Sequence, residues 1–184
     1  MLPTLSYASS QGHTGKWPGT FALSPRLLIA TVTELSRWVA SSGFTRLLLV
    51  NAHGGNDAPL RVAVNELRIA GELQIGLITW FIIDPAVESI VMEDGEDIHA
   101  NSAETSLMPH IQPDLVDQSL IEDDPDRTIG KVFTYTVAQT SRAGVTGKPS
   151  RATAQSGARL FEQVVKFLTA KIEAARVEER PTID

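Results

Sequence analysis

A chain of 184 residues is long enough to bury the core of one domain. Its apolar share of 42%, charged share of 21% and formal charge of −6 are those of a soluble globular protein and exclude a basic nucleic-acid footprint. With no cysteine, disulfides and thiolate metal sites are excluded, so any metal must be held by His, Asp or Glu. No run reaches transmembrane length, and the first residues lack a charged start followed by an apolar stretch. The expectation is a cytoplasmic protein with no membrane or nucleic-acid partner.

Residues 1–24 read as loop, rich in Ser, Gly, Thr and Pro, with Trp17-Pro18-Gly19-Thr20 near their end. Ser24 suits a helix N-cap and Pro25 the first helical position. Leu28, Val32, Leu35 and Val39 follow at helical spacing, and Gly43 is a C-terminal stop. Phe44 to Val50 is an apolar run of strand length, residues 58–70 a second helix, and Leu73 to Ile83 contains the next strand. A strand–helix–strand unit predicts a parallel, right-handed crossover.

Residues 85–92 read as a short helix, Glu93 to Asp97 as an acidic loop, and about 102–110 as another helix. Lys131 to Gln139, with Val132, Phe133, Tyr135 and Val137, reads as a further strand, and Gly144 to Pro149 as a glycine-rich loop. A last helix over about 152–176 carries Leu160, Val164, Phe167, Leu168 and Ile172 on its buried face. The expected architecture is an α/β three-layer sandwich, a mostly parallel sheet flanked by helices, forming one domain over 1–177 with a frayed tail at 178–184.

The segment Asn51-Ala52-His53-Gly54-Gly55-Asn56-Asp57 follows the first strand directly. It places an imidazole at the carboxyl end of a buried strand, beside glycines that let a backbone or ligand approach closely. In open α/β sheets that crevice is where ligands bind. A plain loop histidine beside a glycine turn is the alternative. A second cluster, Asp97-Ile98-His99 with Ala103-Glu104-Thr105-Ser106, raises the weight of the functional reading.

His99 and Glu104 are five apart, which suggests His99 in an entering loop and Glu104 in the first helical turn, its carboxylate directed back at the loop. Glu104 equally reads as a helix-start carboxylate favoured by the dipole, and Asp97 as a solvated loop acid. His110 beside Pro109 reads as a surface residue, and His13 stays open. His, Glu and Asp from separate loops fit a divalent metal such as zinc or manganese. No G-x-S-x-G elbow or G-x-G-x-x-G fingerprint follows a strand, which argues against a serine nucleophile and a dinucleotide site.

These residues resemble the creatininase family of creatinine amidohydrolase-like metal hydrolases along essentially the whole chain. Leu2-Pro3 with Tyr7 and Ser10 resembles the family's "LPxxxYGxS", and Trp17 to Leu23 its "FPGTxSL". Gly43 to Asn56 is similar to "GFxRxxxVNGHGGN" with Ala52 in place of glycine. His99 to Met108 resembles "HAGxxETSxML", and Gly144 to Pro149 "GVxGxP".

The resemblance implies a homo-oligomer, often a hexamer, that hydrolyses C–N bonds of a cyclic amide or small formamide. It implies His53 as a metal ligand, with Glu104 as a ligand or supporting carboxylate that also serves catalysis. His99 is implied as the proton carrier, and the metal as zinc or manganese, with iron a further option. Ser10, His13, Trp17, Asn51, Gly54, Gly55 and Asn56 fall at the implied substrate site. Creatininase itself carries a tyrosine and a glutamate where this chain has Gly54 and Gly55, which places the sequence in an "HGGN" branch.

The family's "ExHGPHLPxxTD" segment, a source of metal ligands, has no counterpart after Met1. The expectation is therefore an N-terminally truncated member without the first strand of the family fold, its metal site incomplete and its metal weakly held. The alternative is an inactive binding or assembly subunit of the same family.

Overall fold

Ser24 and Pro25 open the first helix as their chemistry predicts: the Ser24 hydroxyl accepts the Leu27 N–H at 3.2 Å, and α1 runs Pro25–Ser41. The computed structural model describes residues 1–183. Two strands, β1 (Arg46–Asn51) and β2 (Gln74–Thr79), flank α2 (Asp57–Ala70), which ends on Gly71 in the left-handed region at φ 74°. They pair in parallel, from Arg46 against Gln74 to Asn51 against Thr79. This is the predicted crossover, with the end of β1 delivered beside the end of β2. Leu28 and Val32 of α1 and Leu60 and Ala63 of α2 form a buried cluster, against which Leu49 of β1 and Leu77 of β2 pack.

The later elements are helical: α3 (Pro85–Val91), α4 (Ser102–Ile111), the short α5 (Val137–Thr140) and α6 (Ala154–Val177). The chain forms two compact units. The first comprises Met1–Thr14, Gly19–Trp80 and the stretch from Leu168, and the second Gly15–Pro18 with Phe81–Phe167. In the second unit Gly157 of α6 lies against the backbone of α4, where a Cβ would stand 1.8 Å from the Ser106 carbonyl oxygen. Among the described residues no helix is long and apolar enough to cross a membrane.

The class is α/β as expected, but the sheet has two strands. The strand expected over Lys131 to Gln139 does not form. Residues 131–136 carry no regular structure, Val132 and Phe133 are exposed, and the Thr136 N–H bonds the Gln139 side chain at 2.9 Å as α5 begins. Alternating β-branched and aromatic residues supply propensity, yet a strand also needs a partner edge. The strand within Leu73 to Ile83 stops at Thr79, and a 3-10 turn covers Trp80–Ile82.

Two apolar stripes are narrower than predicted. Leu35 of α1 is exposed while Ser36 is buried, its hydroxyl satisfied by the Val32 carbonyl at 2.7 Å. Ile172 of α6 is exposed where burial was expected.

Candidate active site

The residues singled out by the sequence fall into two groups, one in each unit. In the first, Asn51 ends β1 fully buried and organises the loop that follows. Its Oδ1 accepts the His53 N–H at 3.1 Å and Asn56 Nδ2 at 3.3 Å, and its Nδ2 donates to Thr79 Oγ1 at 3.2 Å. Thr79 in turn donates to Asp57 Oδ1 at 2.8 Å, tying both strand ends to the start of α2. Burial works to raise the Asp57 pKa, but the bonds from Arg61 and Thr79 outweigh it and hold the carboxyl below its ordinary value.

His53 lies half-buried in front of a 3-10 turn over Gly54–Asn56. Asn56 Oδ1 accepts the Ser9 N–H at 2.8 Å, so the 9–10 segment sits on this loop. Ser10 is half-buried, and its carbonyl takes the His13 N–H at 3.2 Å, which closes the turn carrying His13. Trp80 Nε1 donates to the Ala52 carbonyl at 3.2 Å. Ser10, His13, Asn51, His53, Gly54, Gly55 and Asn56 are thus held in one bonded neighbourhood.

The second group centres on His99. Its Nε2 lies 2.9 Å from Asp97 Oδ1, within hydrogen-bond reach, with both side chains about a quarter exposed. Buried Thr146 clamps the same stretch: its hydroxyl accepts the His99 N–H at 3.1 Å and donates to the Asp97 carbonyl, and its N–H reaches the His99 carbonyl at 2.8 Å. Asp126 Oδ2 takes the N–H groups of Glu96 at 2.9 Å and Asp97 at 3.1 Å. Burial works to raise the pKa of Asp126, and bonds from Thr128, Asp97 and Glu96 outweigh it and keep it ionised.

Glu104 sits in the first turn of α4, directed back at the loop as its spacing predicts. Its Oε2 accepts the Ala100 N–H at 2.7 Å, while the Asn101 side chain accepts the N–H groups of Ala103 and Glu104, both at 3.1 Å. Ala100 carries φ 46°, the one non-glycine residue among those described in the left-handed region, between His99 and the helix cap. Trp17 belongs to this unit, its indole over Gly144, while Lys16 Nζ bonds the carbonyls of Ala138 at 2.7 Å and Ser141 at 2.6 Å. His110 is exposed and packs on Phe161 with ring centroids 5.5 Å apart.

Sequence reasoning left Asp97 open between a site residue and a solvated acid; the structure makes it the partner of His99. Its two-residue spacing from the histidine was the available signal. Thr146 lay unassigned in the glycine-rich motif, and Asp126 had no local signal because its bonds span about 30 residues of chain.

A carboxylate bonded to an imidazole that can take and give a proton is equipment for general acid–base chemistry. A metal is a different matter. Among the described residues no three His, Asp or Glu side chains group closely enough to hold an ion. The residues present do not fit the expected dication by themselves, His53 and Glu104 included.

A family model described as "Creatininase: Creatinine amidohydrolase" matches residues 1–172. The chain is 32% identical over 200 residues to the creatinine amidohydrolase of Pseudomonas putida, covering 99% of this chain and 76% of that protein. It is 31% identical over 177 residues to the mycofactocin precursor peptide peptidase of Mycolicibacterium smegmatis, covering 94% of this chain and 66% of the relative. A crystal structure of creatinine amidohydrolase superposes with a TM-score of 0.76 at 30% identity, over 96% of this chain and 75% of that one. Two further solved creatininases of 30% identity, each with a TM-score of 0.70 over 90% of this chain, are described as Zn-Zn type and as Mn; the chain covers 70% and 71% of them.

Proposed function

This chain belongs to the creatininase family, and from that premise we propose that it is an amidohydrolase cutting the C–N bond of a cyclic amide or small formamide. The supporting observation is His99, paired to Asp97 at 2.9 Å on a loop fixed by Thr146 and Asp126. His99 takes a proton from the attacking water as the C–O bond forms. It returns that proton to the departing nitrogen as the C–N bond breaks. Within the first unit, the bonded neighbourhood of Ser10, His13, Asn51 and Asn56 offers hydroxyl, imidazole and amide groups of the kind that bind a small polar molecule.

Zinc or manganese is the cofactor that the described relatives suggest, and the sequence resemblance implies ligand roles for His53 and Glu104. Since no three donors group here, no step is assigned to a metal. That same observation favours a second reading, an inactive binding or assembly subunit.

Hydrolysis of cyclic amides, formamides and short peptides by the purified protein, with zinc or manganese supplied, separates the two. Turnover that falls by about 10²- to 10⁴-fold in His99→Ala supports the hydrolase, since that is the share a general acid–base group supplies. No turnover of any substrate supports the binding subunit.

A further inference from the structure

The backbone around His99 is held by two residues distant in the chain. Thr146, 1% exposed, bonds the His99 N–H and carbonyl and the Asp97 carbonyl, while Asp126 takes the Asp97 N–H. Gly95 permits the approach of Asp126, since a Cβ there would stand 2.8 Å from its carboxylate. Such bonding leaves Asp97 and His99 little freedom relative to each other. A direct side-chain contact runs between Asp97 Oδ1 and His99 Nε2.

We propose that Asp97 is the positioning residue of the reaction, its carboxylate orienting the His99 imidazole through a proton on Nε2. A carboxylate is acceptor-only when ionised, so the nitrogen facing it must carry hydrogen. The imidazole gains one proton as water adds to the carbonyl and gives it up as the amine departs, so the pair ends as it began. This role rests on the amidohydrolase reading, but the geometry of the pair does not.

Proton NMR with 15N-labelled histidine tests the pairing without turnover. The wild-type protein should show a downfield, slowly exchanging Nε2–H proton, identified as that of His99 by its absence in His99→Gln. Asp97→Ala should lose this signal while its backbone amide spectrum stays folded, and Thr146→Ser, which keeps the hydroxyl, should retain it. In the amidase assay Asp97→Ala should lower kcat by about a hundredfold, at the lower end of what a general acid–base group supplies, with KM little changed. A signal that survives in Asp97→Ala, or a protected proton on Nδ1, overturns the proposal. A protein that hydrolyses no amide fails the amidohydrolase reading, and the role with it, while the spectrum still decides the pairing.

Discussion

A Cβ placed on Gly55 would stand 2.5 Å from the carbonyl oxygen of Ser9 and 2.9 Å from His53 Nε2. The second glycine of the His-Gly-Gly-Asn loop is therefore a packing requirement, since it lets the 9–10 segment close onto the imidazole. Gly55→Ala should force these groups apart at a cost of about 1–3 kcal/mol, the range for inserting a methyl into a packed site. Urea unfolding measures that loss. An unchanged midpoint would mean that the Ser9 segment moves aside without cost.

The first half of the fold was legible because each element has local chemistry: the Ser24-Pro25 start, the Gly43 stop, and the apolar runs of β1 and β2. The His53 loop was legible for the same reason, as glycines and an imidazole directly after a strand. Lys131 to Gln139 misled because its β-branched and aromatic pattern records propensity, whereas a strand depends on an edge elsewhere in the chain. The hold on His99 was equally out of reach. Thr146 and Asp126 act across 47 and 29 residues, a separation that no local pattern records.

Asp124 illustrates this long-range carboxylate chemistry and gives a pH test. Burial works to raise its pKa, but the Arg142 N–H at 2.7 Å, Arg127 at 2.7 Å and the Ser141 hydroxyl at 2.9 Å outweigh it and hold it at about 2. A carboxyl depressed in the folded state contributes stability above its unfolded pKa of about 3.9, and that contribution fades as pH falls through about 2. Near neutral pH it is on the order of 2 kcal/mol. Asp124→Asn should therefore lower the denaturant midpoint at pH 7 and differ much less from wild type at pH 2.5. An equal gap at both pH values would assign the loss to packing and not to charge.

Among the described residues the two strands pair with each other and with no third strand, leaving both outer edges open, and Trp38, Phe44 and Val50 of the same unit are exposed. Open edges and apolar surface favour association. The protein should therefore run as a homo-oligomer in light scattering. A mass of 19.9 kDa across a concentration series would show that these surfaces stay in water.

Glu104 supports two accounts that one pair of substitutions separates. Its Oε2 accepts the Ala100 N–H at 2.7 Å, just ahead of Asn101, whose side chain caps α4 by accepting from Ala103 and Glu104. Holding the loop before that cap needs only an acceptor at this position, whereas metal binding or catalysis needs the carboxylate charge. Glu104→Gln keeps the acceptor, so its thermal midpoint should stay near wild type, and Glu104→Ala should lose about 1 kcal/mol, the usual net worth of a hydrogen bond. If the charge also serves the reaction, Glu104→Gln should lose amidase activity by about tenfold or more despite its intact fold, the usual cost of disturbing such a carboxylate near a metal or reacting group. Full activity in the glutamine variant would leave Glu104 as a brace of the loop entering α4 and nothing more.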